Sequence, residues 1–246
     1  MKYVLGYLRE YFFPFGCSIC GEGLAGAGEA WYGLCERCHA GLERELGEIF
    51  EGDACGCCGR PLVSEHGLCM SCRQGDGRAY DQARVLFPYA GKYRKLLTAF
   101  KFDRNTALGN YFAEKITEAI ERCGIPLEAE HEARLCIVPV PPRPGKIRTE
   151  GWDQVERLAR LLERNKRGGL PVSRCLKRLP SKSQKELGRE NRRTNLKGRM
   201  VTVRQPPKTA LLIDDVMTTG STLDACAAAL KEGGAERVYG LCLFYD

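Results

Sequence analysis

The chain has 246 residues, 43% of them hydrophobic, with a formal net charge of +7. That is enough apolar material for a core in one large domain or two. No run of about eighteen apolar residues occurs, so no helical membrane span is expected.

Residues 1–14 carry Tyr3, Val4, Tyr7, Leu8, Tyr11 and Phe12 at helical spacing. They predict a short amphipathic helix docked on the body. Arg9 and Glu10 interrupt the apolar stretch and no cleavage site follows. A signal peptide is therefore not expected, and the chain is expected in the cytoplasm.

Nine of the fourteen cysteines lie between Cys17 and Cys72. Eight form CxxC pairs: Cys17 and Cys20, Cys35 and Cys38, Cys55 and Cys58, Cys69 and Cys72. Four such pairs make two sets of four thiolates, the donor set of closed, tetrahedral, structural Zn²⁺ sites. Gly21, Gly33, Gly59 and Gly67 stand where tight knuckle turns need them. A disulfide framework is the alternative, and the lack of a secretion signal argues against it. Consecutive pairing gives two zinc ribbons in tandem, while a cross-braced arrangement fits the spacing as well. Cys57, the ninth, reads as a spectator. LCERCHAGLEREL predicts a short helix after the first site.

RQGDGRAYD (73–81), rich in glycine and charge, marks a boundary. It divides a cysteine-rich module, 1–78, from a second domain, 79–246. Beyond it, strands are expected at 83–89, 135–140, 200–203, 209–214 and 238–245, and helices at 92–102, 107–123 and 152–165. Leu96, Leu97 and Phe100, then Leu108, Phe112, Ile116 and Ile120, recur on single helix faces. This alternation predicts an α/β fold with a mostly parallel sheet flanked by helices.

Residues 210–223, ALLIDDVMTTGSTL, are the most informative stretch. A buried strand runs into Asp214 and Asp215, then a hydroxyl-rich turn, then a helix stopped by Gly233 and Gly234. Free N–H groups of a first helical turn, together with hydroxyls, make an anion site that suits a phosphate monoester. Two carboxylates at a strand's C-terminal end suit sugar hydroxyls. Phosphate plus vicinal diol describes a 5-phosphoribosyl group.

The segment resembles the signature of type I phosphoribosyltransferases, which bind phosphoribosyl diphosphate (PRPP) with Mg²⁺. The resemblance makes Asp214 and Asp215 the ribose clamp and Val216, Met217, Thr218, Thr219, Gly220, Ser221 and Thr222 the 5′-phosphate loop. It makes Val138, Pro139, Val140, Pro141 and Arg143 the diphosphate loop, which in that fold often carries a cis peptide. Lys101 resembles a lysine placed near the ligand pocket, and a lysine snorkelling off an amphipathic helix reads equally well. Purine-salvage members carry an Asp base where Thr218 stands, which argues against purine salvage.

EGWDQ (150–154) and the loop that matches at Gln184, Leu187, Arg189, Arg192, Arg193, Asn195 and Gly198 narrow the resemblance. Together with the cysteine-rich head they are similar to the ComF family and its GntX-like relatives, across nearly the whole chain. That family commonly shows RGFNQ, so Glu150, Trp152 and Asp153 depart from it while Gly151 and Gln154 hold. The resemblance implies a type I phosphoribosyltransferase-like domain behind a double zinc ribbon, and a role in natural competence with single-stranded DNA and a helicase-like partner.

Charge is unevenly spread. Residues 1–75 carry 6 Lys+Arg against 10 Asp+Glu, while 173–199 carry 10 against 2. A basic segment this poor in apolar residues expects an anionic partner. Gln184, Arg189, Arg192 and Arg193 read either as a basic hood over a diphosphate or as a track for a nucleic-acid backbone. Tyr89, Tyr93 and Trp152 are candidates for stacking bases. Three functions fit: a PRPP-binding protein that handles single-stranded DNA, an active phosphoribosyltransferase, and a PRPP sensor without turnover.

Overall fold

The computed structural model describes residues 16–75, 77–122, 134–165, 169–180 and 198–246. The helix expected over 1–14 and the hood residues Gln184, Arg189, Arg192 and Arg193 lie outside these.

The sheet has four strands: β1 (Gln82–Pro88), β2 (Cys136–Pro139), β5 (Thr209–Met217) and β6 (Arg237–Tyr245). Their order is β1-β6-β5-β2, with every neighbour parallel. The central strands β5 and β6 read as near-continuous apolar runs because both faces are covered. Strand alternation splits the core in two. Leu211, Ile213, Leu241 and Leu243 face one cluster, and Ala210, Leu212, Val238 and Cys242 face the other.

The first face holds α2 (Glu36–Glu51), α4 (Gly91–Lys101), α5 (Leu108–Arg122) and α7 (Gln154–Glu163). The expected apolar faces of α4 and α5 are buried here. Phe100 meets Phe112 edge-on at 5.2 Å, and Phe112 meets Phe244 at 5.6 Å. Such pairs add stability beyond area burial.

The second face holds α8 (Ser221–Glu232) and a hairpin of β3 (Leu176–Arg178) with β4 (Met200–Thr202). The hairpin is antiparallel and separate from the main sheet. Thus the strand expected at 200–203 exists but does not join the parallel sheet. Its partner β3 lies inside the basic segment, where composition gave no sign of a strand. Short helices α1 (Ala27–Tyr32), α3 (Met70–Arg73) and α6 (Lys146–Glu150) complete the described elements.

The two cysteine modules are built alike. In each, a CxxC turn closes on a left-handed glycine: the Gly21 N–H donates to Cys17 O, and the Gly59 N–H to Cys55 O, both at 2.8 Å. A bridge follows, Gly16 with Gly23 and Ala54 with Pro61. The third cysteine then caps a helix, Cys35 for α2 and Cys69 for α3.

The modules sit on opposite faces of the sheet. Cys17, Leu34, Leu42 and Leu46 pack into the first cluster with Phe87 and Phe112. Cys55, Cys58 and Cys69 pack into the second with Val85 and Leu223. A buried ion network seats the first module. Lys115 on α5, 1% exposed, reaches Glu43 of α2 at 2.6 Å and Glu118 at 2.8 Å. Burial opposes its charge, yet the two carboxylates raise its pKa.

The second module is seated by close backbone approach. The Ala83 N–H of β1 donates to Cys57 O at 2.7 Å. A Cβ on Gly59, whose φ is +70°, would lie 2.5 Å from Ala83 O and 2.6 Å from Arg84 Cα. Gly59→Ala is therefore expected to cost at least about 2 kcal/mol in denaturant unfolding. A loss under about 0.5 kcal/mol would mean that the knuckle does not seat on β1 as described.

Candidate functional site

The site forms where β5 ends. The strand runs through Met217, three residues past its expected end, because Val216 and Met217 pair with Phe244 and Tyr245 of β6. Val216 and Met217, expected in the phosphate loop, are thus strand residues, and Met217 is buried at 2% exposure. The turn itself is Thr218, Thr219 and Gly220, and Ser221 and Thr222 open α8.

Gly220, at φ +74°, caps α8 without a side-chain acceptor. The first-turn N–H groups of a 12-residue helix therefore face the turn. The Thr219 and Ser221 hydroxyls meet at 2.7 Å beside them. N–H groups and hydroxyls brought together in this way can take up an anion.

Asp214 and Asp215 are 9% and 8% exposed. Burial, followed by the charge of Asp215, drives the Asp214 pKa well above the usual carboxylate range. Burial pushes Asp215 the same way but is overcome. Lys101 Nζ lies 2.9 Å from Asp215 Oδ2, Gln154 Nε2 donates to the same oxygen at 2.6 Å, and Asp214 adds a further hydrogen bond. The Asp215 pKa is held below its ordinary value. The two adjacent acids are thus driven apart, Asp214 toward its protonated form and Asp215 toward the carboxylate. A neutral carboxyl donates and a carboxylate accepts, and each hydroxyl of a diol can do both.

Gln154 is held in turn. Lys146 Nζ lies 2.6 Å from Gln154 Oε1 and 2.8 Å from Asp153 Oδ2. Asp153 caps α7 by accepting from the Glu156 N–H at 2.9 Å. The EGWDQ departure therefore keeps a purpose at Asp153, which fixes both a helix start and a lysine. Lys146 and the bridging role of Gln154 were not foreseen, since no local pattern connects them to Asp215. Lys101→Met is expected to raise the Asp215 pKa and to weaken ligand binding at this end of the strand about tenfold. Carboxylate titration by NMR, before and after the substitution, checks it.

Val138 and Pro139 belong to β2, and Val140 continues the pairing by donating its N–H to Ile213 O at 3.0 Å. The chain therefore leaves β2 alongside Asp214. Pro141 is half-buried and Arg143 exposed, and all described peptide bonds are trans. The turn of α6 follows at once.

Of the expected stacking aromatics, Tyr93 is buried, while Tyr89 and Trp152 are half-buried against the first cluster. Tyr93 is buried, with its hydroxyl on Glu45 at 2.5 Å. Trp152 sets its ring edge-on to Phe100 at 5.9 Å, and Tyr89 packs against the first cluster. Helix and strand ends hide apolar rings wherever core lies below them, and spacing alone does not show which. Among the described residues, Trp31 and Phe102 are the aromatics that stand out, at 55% and 69% exposure. Within the basic segment, Arg174 is committed to Glu156 and Glu163.

The cysteines fall into consecutive quartets: Cys17, Cys20, Cys35 and Cys38, then Cys55, Cys58, Cys69 and Cys72. The sulfurs of each quartet lie within 4.8 Å of one another. The Cys69 N–H points at Cys55 Sγ at 3.3 Å. Four convergent soft donors with backbone N–H support fit Zn²⁺, and each quartet could bind one structural ion. The cross-braced alternative does not describe this grouping. Cys57 stands outside both quartets, and neither His39 nor His66 joins one.

No protein-family model matches the chain. Similar proteins do exist. Competence protein ComFC of Streptococcus pneumoniae is 26% identical over 83% of this chain and 84% of its own length. ComFC of Bacillus subtilis is 26% identical over 82% and 79%. Competence protein F of Haemophilus influenzae is 28% identical over 94% and 97%.

Proposed function

The chain belongs to the ComF family, and we propose that it binds PRPP and acts in natural competence by handling single-stranded transforming DNA. The observation that carries this reading is the end of β5. Two adjacent buried acids, one pushed toward its protonated form and the other paired with Lys101 and Gln154, sit beside a hydroxyl-lined helix N-terminus. The acids suit the ribose diol, and the turn suits the 5′-phosphate. By the resemblance, Arg143, the amide of Gln184 and the cations of Arg189, Arg192 and Arg193 would take the diphosphate, which brings Mg²⁺ with it.

We place the protein in the cytoplasm. No described helix is long and apolar enough to cross a membrane. The division into a double zinc-ribbon module, 1–78, and a phosphoribosyltransferase-like domain, 79–246, belongs to the same reading, as does a helicase-like partner.

Calorimetric titration of zinc-loaded protein with PRPP and Mg²⁺ tests it, alongside the Asp214→Ala/Asp215→Ala variant. Saturable binding by the wild type and none by the variant is the expected result. A folded wild type that takes up no PRPP refutes it. For the DNA arm, a labelled single-stranded oligonucleotide should bind with a steep loss on raising salt. Arg189→Ala/Arg192→Ala/Arg193→Ala should flatten that slope.

An active phosphoribosyltransferase is the second reading. Asp215, kept ionised by Lys101 and Gln154, favours it, because an anion beside the ribose stabilises the positive charge that develops at C1′. The step would form a bond from an amine or nucleobase nitrogen to C1′ and break the C1′–oxygen bond to diphosphate. The nitrogen would lose its proton to solvent. Diphosphate release on adding candidate amines to protein and PRPP decides it.

A further inference from the structure

The phosphate turn is gripped from behind by residues that do not belong to its own strand or helix. Arg60 follows the knuckle glycine of the second cysteine module. Its guanidinium donates to Thr218 O and, at 2.7 Å, to Asp246 O at the chain's end. Arg78, on the segment leading into β1, donates to Thr219 O at 3.0 Å. Next to it, the Ala79 N–H donates to Asp224 Oδ1 in the first turn of α8 at 2.7 Å. The buried Tyr80 ring lies under Gly220, where an added Cβ would stand 3.3 Å from the tyrosine oxygen.

These contacts dictate where the turn's donors point. In a planar trans peptide, the carbonyl of one residue and the N–H of the next point in opposite directions. Holding Thr218 O against Arg60 aims the Thr219 N–H away from the module. Holding Thr219 O against Arg78 aims the Gly220 N–H away as well. Two consecutive N–H groups so directed, ahead of a helix N-terminus, make a concave anion nest.

The two modules carry opposite charges at one equivalent place. Glu22 occupies in the first module the position that Arg60 occupies in the second, directly after the knuckle glycine. Glu22 pairs with exposed Arg37 of its own module at 2.8 Å and touches no part of the turn. Similar scaffolds thus carry opposite charges there, and only the second reaches the β5–α8 junction.

We propose that Arg60 and Arg78 are positioning residues for the anion turn, and that the second cysteine module serves to hold that turn in its binding shape. This rests on the reading of the turn as a 5′-phosphate site. The arginines touch carbonyls, so they act through the loop and not on the ligand.

The test uses full-length, zinc-loaded protein with Arg60→Ala, Arg78→Ala, Arg60→Lys and, as control, Arg37→Ala. Amide hydrogen exchange without ligand should speed up over 218–222 in the two alanine variants and stay at the wild-type level in Arg37→Ala. Ribose 5-phosphate and PRPP should each bind about tenfold more weakly to Arg60→Ala, by the same factor, because both share the 5′-phosphate. Arg60→Lys, which keeps a donor, should recover part of that loss. Unchanged exchange over 218–222 with affinities within about twofold of wild type overturns the proposal. Unequal losses for the two ligands overturn it too. Should wild type bind neither sugar phosphate, the phosphoribosyl reading fails, and the exchange result alone then decides whether the arginines hold the turn.

Discussion

Asp215→Ala is expected to weaken PRPP binding by at least about a hundredfold, while the protein keeps its fold. A carboxylate that hydrogen-bonds a ligand is a charge-assisted acceptor, and each such bond is worth roughly 1.5–3 kcal/mol. Removing it also leaves Lys101 facing Gln154 with no anion between them. That cation would repel Mg²⁺ brought by the ligand. Asp215→Asn separates the two effects. It keeps a carbonyl acceptor but loses the charge, so it should lie between wild type and alanine. Asp214→Asn should do less harm, since burial and the neighbouring charge of Asp215 already push the residue it replaces toward its protonated form. Calorimetry on the four proteins gives the order. An Asp215→Asn variant that binds like wild type would show that the charge on Asp215 is not used.

Removal of metal is expected to have the second large effect. Structural zinc in small cysteine modules supplies about 10–16 kcal/mol of folding free energy. Neither module here is isolated from the sheet. Leu34, Leu42 and Leu46 share a cluster with Phe87 and Phe112, and Cys55 and Cys58 share the other with Val85 and Leu223. Loss of either quartet thus opens a face of the core. Strong chelation should lower the melting temperature by more than about 10 °C, since roughly 1 kcal/mol corresponds to 2–4 °C in a chain of this size. Metal analysis should find two zinc ions per chain before chelation. Cys72→Ser should leave one. A chain that carries two ions yet melts at the same temperature after losing them would show that the quartets do not support the core.

Local chemistry was legible in the sequence. The strand, the paired acids, the hydroxyl-rich turn and the helix of 209–232 are consecutive, so their order fixes their geometry to within a few residues. The boundary at Met217 was missed because pairing with β6, and not local propensity, sets how far a parallel strand continues. The CxxC pairs were legible for the same reason, while their consecutive grouping into quartets came from the structure. Each knuckle is a turn of a few residues, and consecutive knuckles lie near each other along the chain.

Local pattern did not tell which distant side chains would meet at the site; of those found there, only Lys101 had been singled out, by the resemblance. Lys101 stands 114 positions from Asp215 and Gln154 stands 61, and both arrive only because α4 and α7 cover the same face of the sheet. Arg60 lies 158 positions from Thr218, and a basic residue in a net acidic module gave no sign of a task elsewhere. Tyr93 became core, and Trp152 was drawn against it, because helix packing, not composition, decides which face is covered. By itself the sequence determined most of the elements, the four CxxC pairs and the strand–turn–helix order of 209–232, since these follow from neighbours within one strand, turn or helix. Only the tertiary structure decided the protonation of the two acids and the aim of the turn's N–H groups. Both depend on burial and on contacts between residues that the chain keeps far apart.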